Sequence, residues 1–331
     1  MRKAGLLTTI QDSGRQGWQI QGVSVAGAAD TQSFQIANAL VGNDINAAAL
    51  EFVIIGAELE FLADCVVAFH GAHFDLKVDG SNVANGKPIW LCAGSVLRVG
   101  EAISGSYGYL AISGGLKVSD VLGSKSTYLN GGFGGLNGRA LRNGDQIECY
   151  PASRKFSVLR AIATDKGKGH ATPSWACHNQ WDSWRTSNKK ISFICSSSWY
   201  QLDEDDRIQF LAEKYQINSN SNRMGVRLKG FKLYIPRSPS DKSFPVTFGS
   251  VQIPPDGQPI ILSVDRQSIG GYPIIGTVRS SDAQALVQSR AGQTFQFNEC
   301  TLDEAQKQFV AKNNEQEKLL IIISHRIKEL R

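Results

Sequence analysis

Short runs of alternating apolar and polar residues, separated by glycine turns, constrain the fold of this chain more than any other feature. Residues 74–79 alternate in this way before a turn at Gly80-Ser81, and residues 226–229 and 295–298 repeat the pattern. Successive side chains of a strand point to opposite faces, so a period of two predicts strands with one buried face. With 33 glycines in 331 residues, the pattern predicts a mainly β chain built from sandwiches or barrels.

A few stretches show helical periodicity instead. Thr31 to Val41 and Asp203 to Tyr215 each place apolar residues on one face and predict short helices. Thr301 and Glu304 have the spacing of a capping box, and no proline or glycine follows before Arg331. This combination predicts a long C-terminal helix over 301–331.

The C-terminal helix carries an apolar stripe at coiled-coil-like intervals, formed by Leu320, Ile323, Ile327 and Leu330. Such a stripe indicates a buried surface without naming what covers it. It either docks on the chain's own barrel or contacts a partner helix or a second copy.

An internal echo predicts two tandem β-domains. Residues 85–91 and 256–262 both read as a turn glycine followed by a Pro-Ile-x-Leu strand. We expect an N-terminal β-domain over 1–150 and a C-terminal β-domain over 191–300, followed by the helix over 301–331. The polar stretch 151–190 between the two halves is a linker or a partly packed insertion.

Charge and cysteine usage exclude several classes of protein. The excess of 35 Lys and Arg over 30 Asp and Glu is spread along the chain, so no nucleic-acid partner is predicted. The six cysteines show neither a metal-ligand spacing nor a disulfide framework, which favours a reducing cytoplasm. The apolar run 319–323 is far shorter than the roughly 20 residues of a membrane span, so no membrane association is predicted.

Three motifs resemble parts of known functional sites but lack residues that those sites require. Residues 123–127 lack the Gly-Lys-Ser/Thr of a phosphate loop, so this chain alone is not expected to bind ATP in that way. His70 and His73 lack further ligands nearby in the sequence, so no metal site is predicted. Cys177-His178 has no evident orienting partner and is not predicted to be a nucleophile pair. No lysine-centred biotinylation motif occurs, so the chain is not a biotin carrier.

Five longer blocks carry a resemblance to a known family: Thr8–Arg15, Ala37–Asn43, Ser221–Leu228, Val251–Ile260 and Asp265–Pro273. Over about residues 4 to 305, the chain resembles the biotin-dependent carboxyltransferase-like family, also called allophanate hydrolase subunit 2 or KipA-like. Within the family it is similar to the group formed by the C subunits of bacterial 5-oxoprolinases. The resemblance implies two tandem cyclophilin-like β-barrel domains with a few short helices. It also implies a few more residues ahead of Gly5 than this chain has.

Charged and amide side chains beside glycines in and near these blocks form the candidate site. The expected catalytic residues are Asp12, Arg15, Arg223 and Asp265, and the expected substrate-binding residues are Gln11, Asp30, Asn38, Glu51, Arg227, Gln252, Arg266, Gln267 and Tyr272. An arginine is a permanently charged fork that suits a carboxylate or a developing oxyanion. The set therefore predicts a small acidic or amide substrate. A turn cap or a structural ion pair remains the alternative for each residue.

The resemblance implies one component of an ATP-dependent 5-oxoprolinase complex that opens 5-oxo-L-proline to L-glutamate, together with A-type and B-type (KipI-like) partner proteins. Phosphorylation of the lactam with ATP would activate its carbonyl. Two alternatives stay open. One is the carboxyltransferase component of a biotin-dependent urea or amide carboxylase, with biotin on another chain. The other is a non-catalytic, KipA-like antagonist of a KipI-like histidine kinase inhibitor. On this basis, Arg223→Ala is expected to leave the domains folded while impairing the complex.

Overall fold

The computed structural model describes residues 1–151, 156–165, 169–177, 189–235 and 243–330. The chain forms two compact units that each combine separate stretches. Unit 1 contains Met1–Arg15, Asp30–Asp182 and Glu315–Arg331, and unit 2 contains Gln16–Ala29 and Ser183–Asn314. The contiguous boundaries at 150, 190 and 300 stay a prediction.

Unit 1 is built on an eight-stranded sheet. Its strands are β1 (Thr8–Gln11), β2 (Ala49–Val53), β3 (Glu58–Glu60), β4 (Cys65–Val78), β5 (Ser81–Asn82), β6 (Pro88–Leu91), β7 (Val96–Ile112) and β8 (His170–Ala171), and the helices are α1 (Thr31–Leu40) and α2 (Ser157–Asp165). The strand order is β1-β2-β7-β4-β6-β8, in which β3 pairs with β7 and β5 pairs with β4. The predicted alternation is present, since Phe74, Leu76 and Val78 of β4 are buried in the core of this unit. Helix α1 packs against β4 and β7.

Unit 2 is built on a closed barrel. Its strands are β9 (Lys189–Cys195), β10 (Tyr215–Ile217), β11 (Gly225–Lys229), β12 (Phe244–Pro245), β13 (Ser250–Gln252), β14 (Ile260–Leu262), β15 (Ile269–Gly270), β16 (Ile274–Val278) and β17 (Thr294–Glu299), with helices α3 (Glu204–Ala212) and α4 (Ser280–Val287). The strand order of the barrel is β10-β11-β14-β13-β16-β9-β17, and β12 pairs with β15 in a separate ribbon. Aromatic side chains contact one another within its core, where Phe210 stacks on Phe297 with ring centroids 4.8 Å apart.

The predicted fold class is confirmed: the chain is mainly β, with a few short helices and the long C-terminal helix α5 (Leu302–Lys328). The capping box forms as its spacing indicates, because the Thr301 N–H donates to Glu304 Oε2 at 2.9 Å and the Glu304 N–H donates to Thr301 Oγ1 at 3.2 Å. Reciprocal bonds of this kind satisfy backbone donors that have no partner inside the helix.

The stretch 151–190 differs from the expectation in two respects, since it contains helix α2 and also strand β8, which pairs with β6. Helix α2 lies within it, with Leu159 and Ala163 buried, although the polar composition gave no sign of a helix. Two apolar residues four apart are enough to anchor one face when tertiary packing covers them. His178, Trp181 and Trp184 of this stretch lie outside the described residues.

The apolar stripe of α5 docks on the chain itself. Ile323, Ile327 and Leu330 are buried, and the part of α5 from Glu315 onward belongs to unit 1. The Gln316 Nε2 amide also donates to Gln35 Oε1 of α1 at 2.5 Å. Of the two uses considered for the stripe, docking on its own unit is therefore the one present.

We expect Ile323→Lys to lower the free energy of unfolding by about 2–4 kcal/mol, because the new ammonium would have to be buried without a partner. Ile322→Lys is the matched control, since Ile322 is 57% exposed and its neighbour Ile323 is 3% exposed. Urea denaturation of both variants checks this. Equal stabilities would show that the stripe is not buried.

Within the described residues, no helix is long and apolar enough to cross a membrane.

Candidate functional site

The carboxylate of Asp12 organises a loop of unit 1. Its Oδ1 accepts hydrogen bonds from the Gly14 N–H at 2.8 Å and from the hydroxyls of Ser124 and Ser126 at 2.7 and 2.5 Å. Its Oδ2 accepts from the Lys125 N–H at 2.5 Å. Charged acceptors make the stronger hydrogen bonds in proteins. Asp12, which is only 8% exposed, therefore ties the turn after β1 to residues 124–126.

Gln11 and Arg15 take part in the same arrangement. The Gln11 Nε2 amide donates to Thr9 Oγ1 at 2.9 Å and to the Thr127 carbonyl at 3.2 Å. The Arg15 Nη2 donates to the Ser126 carbonyl at 2.6 Å, and its guanidinium lies 4.9 Å from the centroid of the Phe133 ring. Both side chains are fully buried. The structure thus brings three predicted residues together, with hydrogen bonds that hold the loop over 121–134.

In a second group, a tyrosine that the sequence did not indicate joins the buried carboxylate of Glu51 to the backbone of Asp30. The Tyr109 hydroxyl donates to Glu51 Oε2 at 2.8 Å and accepts from the Asp30 N–H at 2.8 Å. Asp30 is also the N-cap of α1, where its carboxylate accepts from the Ser33 N–H at 3.0 Å and from the Ser33 hydroxyl at 2.5 Å. All four side chains are at most 1% exposed.

Burial, followed by the charges of Glu51 and Asp30, raises the pKa of Tyr109 well above its ordinary value. The hydroxyl therefore stays protonated at neutral pH and donates to Glu51 permanently. It can position the carboxylate of Glu51 and the entry of α1, but it cannot itself act as a base.

The strand register extends this group into a polar row across the sheet, which consists of Thr9, Glu51, Tyr109 and His70. Thr9 lies opposite Glu51, Glu51 opposite Tyr109, and Tyr109 opposite His70. Residues directly opposite each other on paired strands share one face of the sheet. His70 is 3% exposed, and neither of its ring nitrogens has a hydrogen-bond partner among the described residues.

Burial lowers the pKa of His70 to about 4. Because the unfolded chain takes up this proton near pH 6.5, the unfolded state binds more protons between pH 6.5 and about 4. We expect the free energy of unfolding to fall in that window as the pH is lowered, by up to about 3 kcal/mol. His70→Gln should remove this part of the pH dependence.

Chemical denaturation at several pH values measures the effect. His73→Gln is the control, because His73 belongs to the same motif and is exposed. An unchanged pH profile in His70→Gln would contradict the neutral, buried state of His70.

Asn38 lies near the C-terminal end of α1 and connects the helix to the loop that follows it. Its Nδ2 donates to the Ala47 carbonyl at 2.7 Å, and its Oδ1 accepts from the Asn43 side chain at 3.1 Å. Asn38 is fully buried. These contacts give it a structural role in the loop over 41–47.

A buried charge pair of unit 2 joins Arg223 and Asp265. The Arg223 Nε and Nη2 each lie 2.9 Å from one oxygen of Asp265, so the pair is bidentate, and Nη2 also donates to the Gly27 carbonyl at 2.6 Å. Both side chains are at most 5% exposed. Planar, two-point contacts of this kind fix geometry as well as charge. The pair therefore holds residues 24–27 and the loop after β14 in place.

Arg266, the next residue, keeps more of its donors available. Its Nη1 donates to the Ser263 carbonyl at 3.2 Å, and burial lowers the pKa of this guanidinium. A guanidinium has five N–H donors, and its partial burial strengthens any further contact that it makes. Arg266 is thus better suited than Arg223 to receive a substrate carboxylate or oxyanion.

The remaining predicted residues of unit 2 separate into buried and exposed ones. Gln252 on β13 is 3% exposed, and its Nε2 amide has no partner among the described residues. Gly270 packs closely against the Gln252 side chain. A Cβ atom at position 270 would lie 2.2 Å from the Gln252 Nε2 and 3.3 Å from the Gln267 Nε2. Arg227 is exposed on β11, and Tyr272 is 38% exposed.

The predicted site residues carry carboxylates, amides and guanidinium groups, together with the phenol of Tyr272. No group of three or more metal-ligating side chains occurs within the described ranges. Burial raises the pKa of the Cys177 thiol to about 11, which disfavours the thiolate that a nucleophile needs. In either unit, groups of these types can contact a small acidic or amide compound through hydrogen bonds and ion pairs.

Comparison with known proteins shows which family the chain belongs to. The family model described as carboxyltransferase domain, subdomain A and B, matches residues 21–299. The chain belongs to this carboxyltransferase domain family. It is 35% identical over 305 residues to the 5-oxoprolinase C subunit of Escherichia coli, covering 92% of each chain. The family expected from the sequence motifs is thus confirmed.

Some of the proteins to which the chain is similar are much longer than the matched region. The chain is 31% identical over 318 residues to urea amidolyase of Saccharomyces cerevisiae, covering 88% of this chain and 16% of that one. The crystal structure of Kluyveromyces lactis urea carboxylase matches with a TM-score of 0.81 at 29% identity, covering 97% of this chain and 29% of that chain. The carboxyltransferase fold therefore extends over nearly the whole of this chain.

Proposed function

We propose that this chain is the C subunit of an ATP-dependent 5-oxoprolinase complex, which cleaves 5-oxo-L-proline to L-glutamate. The observation that carries the proposal is the match to the 5-oxoprolinase C subunit of Escherichia coli, which covers 92% of both chains at 35% identity. The urea amidolyase match covers only 16% of that protein. The matched region thus spans nearly the whole length of the first relative and a small part of the second.

The chemistry of the site supports an acidic lactam as substrate. Net hydrolysis adds water across the lactam C–N bond, so the carbonyl carbon gains a hydroxyl and the nitrogen gains a proton. Negative charge develops on the carbonyl oxygen, and the substrate also carries a carboxylate. Among the described residues of unit 2, Arg266 carries N–H donors suited to these groups, and preorganised donors of this kind stabilise developing charge.

We propose that this chain assembles in the cytoplasm with two partners, an A-type and a B-type (KipI-like) 5-oxoprolinase protein. ATP would be bound by the complex through one of these partners. The candidates for catalysis remain Asp12, Arg15, Arg223 and Asp265. They would contribute by holding in place the loop over 121–134 and the loop after β14.

A second candidate is the carboxyltransferase component of a biotin-dependent urea or amide carboxylase. The observation that favours it is the TM-score of 0.81 to Kluyveromyces lactis urea carboxylase over 97% of this chain. Biotin would be supplied on another chain, where it would carry the carboxyl group.

Two assays on the co-purified complex separate these candidates. One measures ATP-dependent glutamate release from 5-oxoproline, and the other measures biotin-dependent carboxylation of urea. We expect the first to be positive and the second to be negative. Carboxylation of urea without glutamate release would replace the proposal by the second candidate.

We expect Arg266→Gln to raise the KM for 5-oxoproline by about 10- to 100-fold, because a charge-assisted hydrogen bond contributes about 1.5–3 kcal/mol. Steady-state kinetics of the complex measure it, with Lys229→Gln on the exposed side of β11 as the control. A KM equal to that of the wild type would remove Arg266 from the substrate contacts.

A further inference from the structure

A cleft of about 530 Å³ lies in unit 1. Its lining comes mainly from three stretches of chain, 59–65, 112–116 and 144–151. Backbone hydrogen bonds hold these stretches together, since the Ser113 N–H donates to the Val66 carbonyl at 2.8 Å and the Tyr150 N–H donates to the Gly115 carbonyl at 3.1 Å. The cleft is therefore preformed, and its volume is within the range of small-molecule sites.

The lining of this cleft is largely apolar and reaches solvent. Leu59 and Ile112 belong to the core of unit 1 but keep 8% and 7% of their surface exposed. Phe61 and Ile147 are only partly buried against that core, and Leu62 is 73% exposed. All five side chains line the cleft. A ligand that covers them would remove apolar surface from water, which favours binding.

Two thiols, those of Cys65 and Cys149, also line the cleft. Burial raises the pKa of the Cys65 thiol to about 12 and also raises the pKa of the Cys149 thiol. Both thiols are therefore protonated at neutral pH. A protonated thiol behaves as a small apolar group with a weak donor, so the two sulfur atoms extend the apolar lining and add no charge to it.

The charged side chains that line the cleft are Arg2, Glu60, Asp64 and Asp145. Each has a partner of opposite charge: Arg2 and Glu60 pair at 3.1 Å, Asp145 lies 2.7 Å from Arg139, and Asp64 lies 3.7 Å from Arg160. The Met1 ammonium donates to the Asp145 carbonyl at 2.9 Å. An ionic ligand would have to break one of these contacts or lose its hydration against an apolar lining, and both are costly.

We propose that this cleft binds a small, uncharged and mainly apolar molecule. The site does not depend on the 5-oxoprolinase proposal, because the described residues that line it include none of the candidate site residues. A macromolecular partner suits it less well, because its apolar face would also have to cover the paired charges beside the cleft. A small molecule can enter between them.

Three probes of similar size test the ligand chemistry on the full chain: toluene, benzoate and benzylammonium. Ligand-detected nuclear magnetic resonance measures their affinities. We expect toluene to bind saturably and at least about tenfold more tightly than either ion, because only the ions must be desolvated. Maleimide labelling followed by mass spectrometry locates the site. Toluene should slow the labelling of Cys149, which is exposed, and should leave that of Cys300 in unit 2 unchanged.

Three variants complete the test. Leu62→Glu places a carboxylate beside the cleft at an exposed position and should weaken toluene binding at least about threefold. Ile147→Asp places one in the lining and should weaken it at least about tenfold, with thermal unfolding as the check that the chain is folded. Leu6→Glu is the matched control, because Leu6 is 62% exposed and is not among the described residues that line the cleft.

The proposal is overturned if the three probes bind equally, if toluene does not slow the labelling of Cys149, or if Leu62→Glu binds toluene as the wild type does. The absence of saturable toluene binding would also overturn it.

Discussion

Arg223→Ala should lower the free energy of unfolding by about 3–5 kcal/mol, because it leaves the carboxylate of Asp265 buried without its partner. The pair is bidentate at 2.9 Å, and both side chains are nearly inaccessible to solvent. This differs from the expectation drawn from the sequence alone, in which the domains stay folded. Urea denaturation of the isolated chain measures the change.

Two further variants separate the structural role of this pair from a catalytic one. Arg227→Ala, four residues along and exposed on β11, should change the stability by less than about 0.5 kcal/mol. Replacing both partners, with Arg223→Met and Asp265→Leu, should recover much of the stability, since an apolar pair of similar volume avoids desolvated charge. If Arg223→Ala has the stability of the wild type and loses activity in the complex, the arginine acts on the substrate instead.

Asp12→Ala should also lower the free energy of unfolding by about 3–5 kcal/mol, because two backbone N–H groups and two hydroxyls lose a charged acceptor together. Those donors come from Gly14 and from residues 124–126, more than 100 positions away in the chain. The loop over 121–134 should become the first part of unit 1 to exchange its amide hydrogens, which hydrogen exchange would detect.

Asp120→Ala is the matched control for Asp12. Asp120 is exposed and its carboxylate accepts from one backbone group, the Gly123 N–H at 2.8 Å. We expect a loss of at most about 1 kcal/mol. Equal losses in the two variants would show that the hydrogen bonds of Asp12 do not hold the loop.

Local patterns predict local structure well in this chain. The alternation over 74–79 marks a buried face of β4, and the Thr301/Glu304 spacing marks the start of α5. Asp30 stands immediately before Thr31, which is the position of an N-cap, and it caps α1 as such a residue would. These features depend on residues within one or two turns of each other, so the sequence contains the information directly.

Local sequence patterns do not show which distant residues contact the site residues. Tyr109 contacts Glu51 across 58 positions, and Asp12 contacts Ser126 across 114. Which residues meet across a sheet depends on its register, and a slip of one residue moves every side chain to the other face. The importance of Tyr109 and the isolation of His70 therefore emerge only from the folded structure. Arg227 illustrates the converse, since its motif predicts a site residue and its strand places it outward.

The measurement that tests the 5-oxoprolinase assignment most directly is an omission and add-back experiment. The A-type and B-type partners are purified with and without this chain, and ATP-dependent release of glutamate from 5-oxoproline is followed as the chain is added back. We expect negligible turnover without the chain and a rise that saturates at a fixed ratio of the three proteins. Full turnover in its absence, or none from the complete and stable complex, would contradict the account.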